Sequence, residues 1–111
     1  MTVLFSCPAS AGFYITMITI KIESTRITVI GHSGYAPPGQ DIVCSAVSTL
    51  TQNLIYSIKA LTDDTISYDI KPGKADIYYR NPSEKTKTLI DSFFIGCAAI
   101  ADAYPEHVNI V

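Results

Sequence analysis

The sequence predicts an α+β fold: a two-layer sandwich with a mixed or antiparallel sheet and two amphipathic helices on one face, in the order ββαββα. Three observations carry this. Short β-branched runs with period-two alternation come in two pairs. Each pair is followed by a longer stretch whose apolar residues recur at three- and four-residue spacings. The chain has 111 residues, 48% of them hydrophobic and 16% charged, which supplies one core and excludes a disordered or collagen-like chain.

Ile18-Thr19-Ile20-Lys21-Ile22-Glu23 alternates as a half-buried strand should. Ser24-Thr25 makes a short turn, and Arg26-Ile27-Thr28-Val29-Ile30 returns as the second strand of a hairpin. Residues Gly31 to Gly39 then hold three Gly and two Pro in nine positions, a loop too long for a minimal turn. From Asp41 to about Leu61 the period becomes helical. Ile42, Val43, Ala46, Val47, Leu50, Leu54 and Leu61 gather on the expected core face. Asp41, Cys44, Ser45, Ser48 and Gln52 gather on the other side, with Asp41 as the expected N-cap.

Asp63-Asp64 breaks the helical pattern. Ile66, Tyr68 and Ile70 alternate with Ser67, Asp69 and Lys71 as a third strand. Pro72-Gly73 fits the centre of a type II turn, and Ala75 to Arg80 is the returning strand. Of the pair Tyr78-Tyr79, one is expected in the core and one on the surface. Asn81-Pro82-Ser83-Glu84 reads as a helix start with Asn81 as cap and Pro82 in the first helical position. Ile90, Phe93, Phe94, Cys97, Ala101 and Tyr104 form the second helix's apolar face, and Pro105 ends it. Val108 to Val111 adds a short last strand.

Residues 1–16 carry no charged side chain, so they lack the basic start of a secretory signal. Ser6, Pro8, Ser10 and Gly12 interrupt the apolar run, which makes a poor membrane span. A clean strand begins right after Met17, so the expectation is a domain at 17–111, preceded by a disordered leader or a mis-assigned start. A strand added to the sheet edge is the alternative, and Cys7 is given no role.

Eight Lys+Arg against ten Asp+Glu give a net charge of −2. The longest basic cluster is Lys85 and Lys87, so direct nucleic-acid binding is not expected. The three cysteines form no CxxC pair, and with only His32 and His107 beside them they show no zinc spacing. They read as reduced thiols of a cytoplasmic protein, with no metal or organic cofactor. His107 is expected on the surface.

Cys44 is the informative thiol. It lies in the first turn of the first helix, where unpaired N–H groups and the helix dipole favour thiolate over thiol. Asp41 would oppose this if its charge pointed at the sulfur, and less so if it caps the helix. His32 sits where a strand enters the loop that leads directly to Cys44, so imidazole and sulfur can meet across one connection. Ser48 lies one helical turn after Cys44 on the same face. Gly31, Gly34 and Gly39 let the loop move or bring its backbone close to a peptide. The residues alone leave blander alternatives open: a small buried hydrophobe for Cys44 and a solvated surface position for His32. Cys97, between Phe94 and Ala101, fits the buried role better.

The stretch Gly31-His32-Ser33 … Gly39-Gln40-Asp41-Ile42-Val43-Cys44-Ser45-Ala46-Val47-Ser48 resembles the ribosomal-processing cysteine protease family. That pattern has a Gly-His, a loop, Asp-Ile-Val-Cys, small residues and a Ser, and the resemblance extends over residues 17–111. It implies a cysteine endopeptidase that removes the N-terminal extension of the large-subunit ribosomal protein numbered twenty-seven. It makes Cys44 the nucleophile and His32 its proton partner, with Asp41 and Ser48 in support and Gly31, Ser33, Gly34 and Gly39 at the substrate. It further implies a homodimer acting on a ribosomal protein precursor. Pro37-Pro38 departs from the pattern and stiffens the loop, and residues 1–16 have no counterpart in it. The rival functions are a non-catalytic ribosome-assembly or adaptor module of the same fold and a thiol redox sensor.

Overall fold

The computed structural model describes residues 17–31 and 42–111. The expectations for residues 1–16 lie outside the described residues. The elements are β1 (Ile18–Ile22), β2 (Arg26–Ile30), α1 (Ile42–Leu61), β3 (Ile66–Lys71), β4 (Lys74–Tyr79), α2 (Glu84–Ala103) and β5 (Val108–Ile110). They build an α+β fold whose single sheet has the order β3-β4-β2-β1-β5. β1 with β2, β2 with β4 and β3 with β4 pair antiparallel. β5 pairs parallel with β1, so the sheet is mixed.

One face of the sheet is the core. The register sets Ile20 opposite Val29, Val29 opposite Ala75, Ile27 opposite Ile77 and Ile18 opposite Val108, and all of these are buried. Each large aliphatic among them stabilises the fold by roughly 1.5–3 kcal/mol. Leu54, Ile55, Ile58, Ile90 and Phe93 close the core from the two helices. Where α1 and α2 meet, a Cβ on Gly96 would stand 3.0 Å from Leu50 Cδ1, so a larger residue here would push the Leu50 side chain aside by a few tenths of an ångström. Pro72-Gly73 turns β3 into β4, with Gly73 at φ 80, as the type II turn demands.

The other face holds a feature that no local pattern announced. Asp76 is only 4% exposed, although it points away from the helix-covered side. Arg26 donates to its Oδ1 from Nη2 at 2.7 Å and from Nε at 3.0 Å, and Thr28 Oγ1 donates to the same atom at 3.0 Å. Burial pushes the Asp76 carboxyl up. The hydrogen bonds from Arg26 and Thr28, with the charges of Arg26 and Lys74, outweigh that and hold it below the ordinary range.

Four sequence expectations need correction. The buried face of α1 is Val43, Cys44, Val47, Ser48, Thr51, Gln52, Leu54, Ile55 and Ile58, while Ile42 and Leu61 are 53% and 60% exposed. The face is rotated toward Cys44 because small polar residues can be buried once satisfied: Thr51 Oγ1 donates to the Val47 carbonyl at 2.8 Å. α2 starts at Glu84 with Ser83, not Asn81, as its cap, because the Ser83 side chain accepts from the Thr86 N–H. Asn81 instead adopts φ 49, a turn conformation that asparagine tolerates. Phe94 is exposed, at the edge of the α2 face that Ile90, Phe93 and Cys97 bury. Tyr68 and Ile70 are exposed too, because β3 is an edge strand. There the Lys59 ammonium sits 5.2 Å from the Tyr68 ring centre and donates to its hydroxyl at 3.1 Å.

Candidate active site

Cys44 is the third residue of α1. The first-turn amides of a helix have no intrahelical acceptor, and the dipole is positive there. An anion formed at this sulfur, or on a carbonyl attacked by it, meets a favourable field. The side chain is 2% exposed and belongs to the core cluster, so the sequence expectation that it lies off the core face is corrected. Ser48 follows at i+4, and Gln52 at i+8, on the same row of the helix, and both are buried. Gln52 thus extends the row of Cys44 and Ser48 along α1.

On the strand side, β2 ends at Ile30 and is followed by Gly31. Gly31 is buried, has φ 108, and donates its N–H to the Gly73 carbonyl at 2.8 Å. A side chain at that φ is strained, so the position calls for glycine. His32, Ser33, Gly34, Gly39 and Asp41 lie outside the described residues. Of the sequence-derived candidates, the structure therefore places Cys44 and Ser48 together on one helical row and Gly31 at the strand exit.

Cys97 is a chemical contrast. It is fully buried on α2, and burial pushes its thiol up to about 12, so it is a neutral packing residue at physiological pH. Tyr79 is the core member of its pair and Tyr78 the exposed one, as expected. The Tyr79 hydroxyl donates to the Glu23 carbonyl at 2.5 Å. His107 is half-buried rather than exposed, because its backbone is tied into the turn between α2 and β5.

A shallow groove lies between α1 and α2, lined by Ile42, Ser45, Ala46, Leu50, Gly96 and Ile100 among others. Ile42 and Ser45 flank Cys44 in the first turn, so an apolar surface adjoins that turn. Among the described residues no group of three or more His, Cys, Asp or Glu could hold a metal ion. Among them, too, no helix is long and apolar enough to cross a membrane.

Known proteins share this arrangement. The family model of the cysteine protease Prp matches residues 16–109. The ribosomal processing cysteine protease Prp of Mycoplasma genitalium is 26% identical over 96 residues, covering 85% of this chain and 94% of that protein. A Streptococcus mutans protein of solved structure is 31% identical, covers 86% of this chain and 92% of its own, and superposes with a TM-score of 0.71. The crystal structure of the ribosomal processing protease Prp from S. aureus, covalently linked to a product peptide, is 18% identical. It covers 85% of this chain and 95% of its own, with a TM-score of 0.77, which shows a shared fold. Nearly the whole described chain is thus accounted for by one family, and the protein belongs to the family of the cysteine protease Prp, as a cysteine protease.

Proposed function

We propose that this protein cuts the N-terminal extension from the large-subunit ribosomal protein numbered twenty-seven, using a Cys44–His32 dyad. The carrying observation is that the first turn of α1 holds Cys44 in a chain matched by the Prp family along almost its full length. The Mycoplasma genitalium relative is named for ribosomal processing, and the S. aureus relative holds a covalently linked product peptide. Both support a peptide substrate from a ribosomal protein.

In this mechanism the Cys44 thiolate attacks the scissile carbonyl and forms a tetrahedral intermediate. Amides of the α1 first turn, or of the loop before it, stabilise the oxyanion, each contributing about 3 kcal/mol. The C–N bond breaks as His32 gives its proton to the leaving amine, and an acyl-enzyme remains. His32 then takes a proton from water, which attacks the acyl group and frees the thiolate. In this reading Asp41 orients His32 or caps α1, Ser48 hydrogen-bonds beside the site, and Gly31, Ser33, Gly34 and Gly39 bring the loop backbone to the peptide. The domain at residues 17–111 acts as a homodimer in the cytoplasm.

The test incubates the purified protein with the extended ribosomal protein and locates any cut by mass spectrometry. Cleavage at one site by the wild type, lost in Cys44→Ala and strongly reduced in His32→Ala, is the expected result. If both variants cut as fast as the wild type, the dyad is wrong.

A further inference from the structure

We propose that the Pro72–Gly73 turn is a positioning element for the active site: the Gly73 carbonyl, by accepting the Gly31 N–H, sets the direction in which the chain leaves β2 toward His32. This rests on the Cys44–His32 reading above. The β2–β4 ladder ends with Ile30 opposite Lys74. The Gly31–Gly73 hydrogen bond, at 2.8 Å, adds one link beyond it. Both partners have positive φ, 108 at Gly31 and 80 at Gly73, so the chain changes course at both ends of this bond.

The two sides differ in stiffness. Gly31, as a glycine, has on its own more conformational freedom than any other residue. The turn does not. Pro72 fixes one dihedral in advance, and β3 and β4 pair right up to Lys71 and Lys74. The tip of the second hairpin thus anchors the exit of the first. The residue after that exit is His32, and a misplacement of about 1 Å at such a residue can cost about 10²-fold in rate.

The experiment measures Cys44 alkylation by iodoacetamide against pH, by intact mass, in a Cys7→Ser background. It is paired with the pH profile of kcat/KM on the extended ribosomal protein. His32→Ala tests the dyad itself and should move the alkylation inflection upward by about one pH unit or more. Gly73→Val denies the turn its positive φ. It should give the same upward shift and about 10²-fold lower kcat/KM. Gly73→Asn, which tolerates positive φ, should behave as wild type. Gly73→Ala, a milder change, serves if the valine variant does not fold. Ser83→Ala, which weakens the fold at the cap of α2, should lower the melting temperature without moving the profile. If His32→Ala moves the profile while folded Gly73→Val or Gly73→Ala keeps that of the wild type, the positioning role is overturned and the dyad stands. If His32→Ala leaves the profile unmoved, the dyad falls and the inference with it.

Discussion

α1 and α2 are both 20 residues long, yet their first turns are built differently. At α2 the protein supplies its own acceptors. Ser83 Oγ accepts from the Thr86 N–H at 3.4 Å. Asp64 Oδ2 accepts from the Ser83 N–H at 2.8 Å, from Ser83 Oγ at 2.8 Å and from Thr86 Oγ1 at 2.5 Å. Glu84 adds a further negative charge in that turn. The first turn of α1 has no acidic residue and carries Cys44. The same positive helix end is thus spent on stability at α2, and at α1 it favours an anion formed at the Cys44 sulfur.

The comparison breaks most visibly if the thiol is removed. Cys44→Ala should lower peptide hydrolysis by about 10³-fold or more, read by single-turnover cleavage, because among the described residues Cys44 is the only thiol at a helix entrance. Ser83→Ala, the matching change at α2, should leave the rate intact and cost about 1 kcal/mol of stability, read by chemical denaturation.

A second experiment sharpens the contrast by making α1 resemble α2. Ser45 is exposed in the first turn, beside Cys44. Ser45→Asp places a carboxylate at the positive end and should stabilise the helix by about 0.3–1 kcal/mol. The same energy now opposes the thiolate, so alkylation of Cys44 at neutral pH should slow by roughly 2- to 5-fold. Opposite signs in a melt and in an alkylation assay are the signature. A faster alkylation would show that the dipole does not serve this sulfur.

The α2 entrance has its own pH dependence. Hydrogen bonds from Thr86 and Ser83 hold the Asp64 carboxyl below its ordinary value. A depressed folded value means the stabilisation is fully present above the ordinary carboxylate range and is lost as pH falls through the folded value. The stability gap between wild type and Asp64→Asn should therefore be open at pH 7 and close progressively below about pH 4. Denaturant midpoints across that range read it directly.

These two entrances also show what the sequence could carry. Hairpins, helices and the Pro72-Gly73 turn were legible because each is written in neighbouring residues, as period, cap chemistry or positive-φ demand. The cap of α2 was misplaced by two residues because Asn81 and Ser83 are both good caps, and the choice falls to Asp64, which reaches Ser83 from 19 positions away. The Arg26–Asp76 pair spans 50 positions, so no local pattern shows it. The core face of α1 was rotated for a related reason. Polarity counts exclude Cys44, Ser48 and Gln52 from a core, but a small or hydrogen-bonded polar side chain buries well. At the candidate site the first-turn position of Cys44 was legible, while the Gly31–Gly73 contact, made between two hairpins, was not.

The smallest expected effect concerns the second thiol. Cys97 and Cys44 are both buried on helices, so burial alone does not separate them. Position does: Cys97 lies well inside α2, where backbone N–H groups are already spent on helical hydrogen bonds. With no such field to offset it, burial pushes that thiol from 9.0 to about 12. Cys97→Ala should leave cleavage unchanged and cost roughly 0.5–1 kcal/mol, since it removes one buried heavy atom. The sign of its pH dependence is opposite to that of Asp64. The unfolded thiol ionises near 9.0 and the folded one near 12, so the folded state loses stability as pH rises through that window. Cys97→Ala should flatten that alkaline loss in denaturant titrations, and native Cys97 should resist alkylation until the protein unfolds. A Cys97→Ala variant with cleavage as impaired as Cys44→Ala would mean that position in the helix does not distinguish the two thiols.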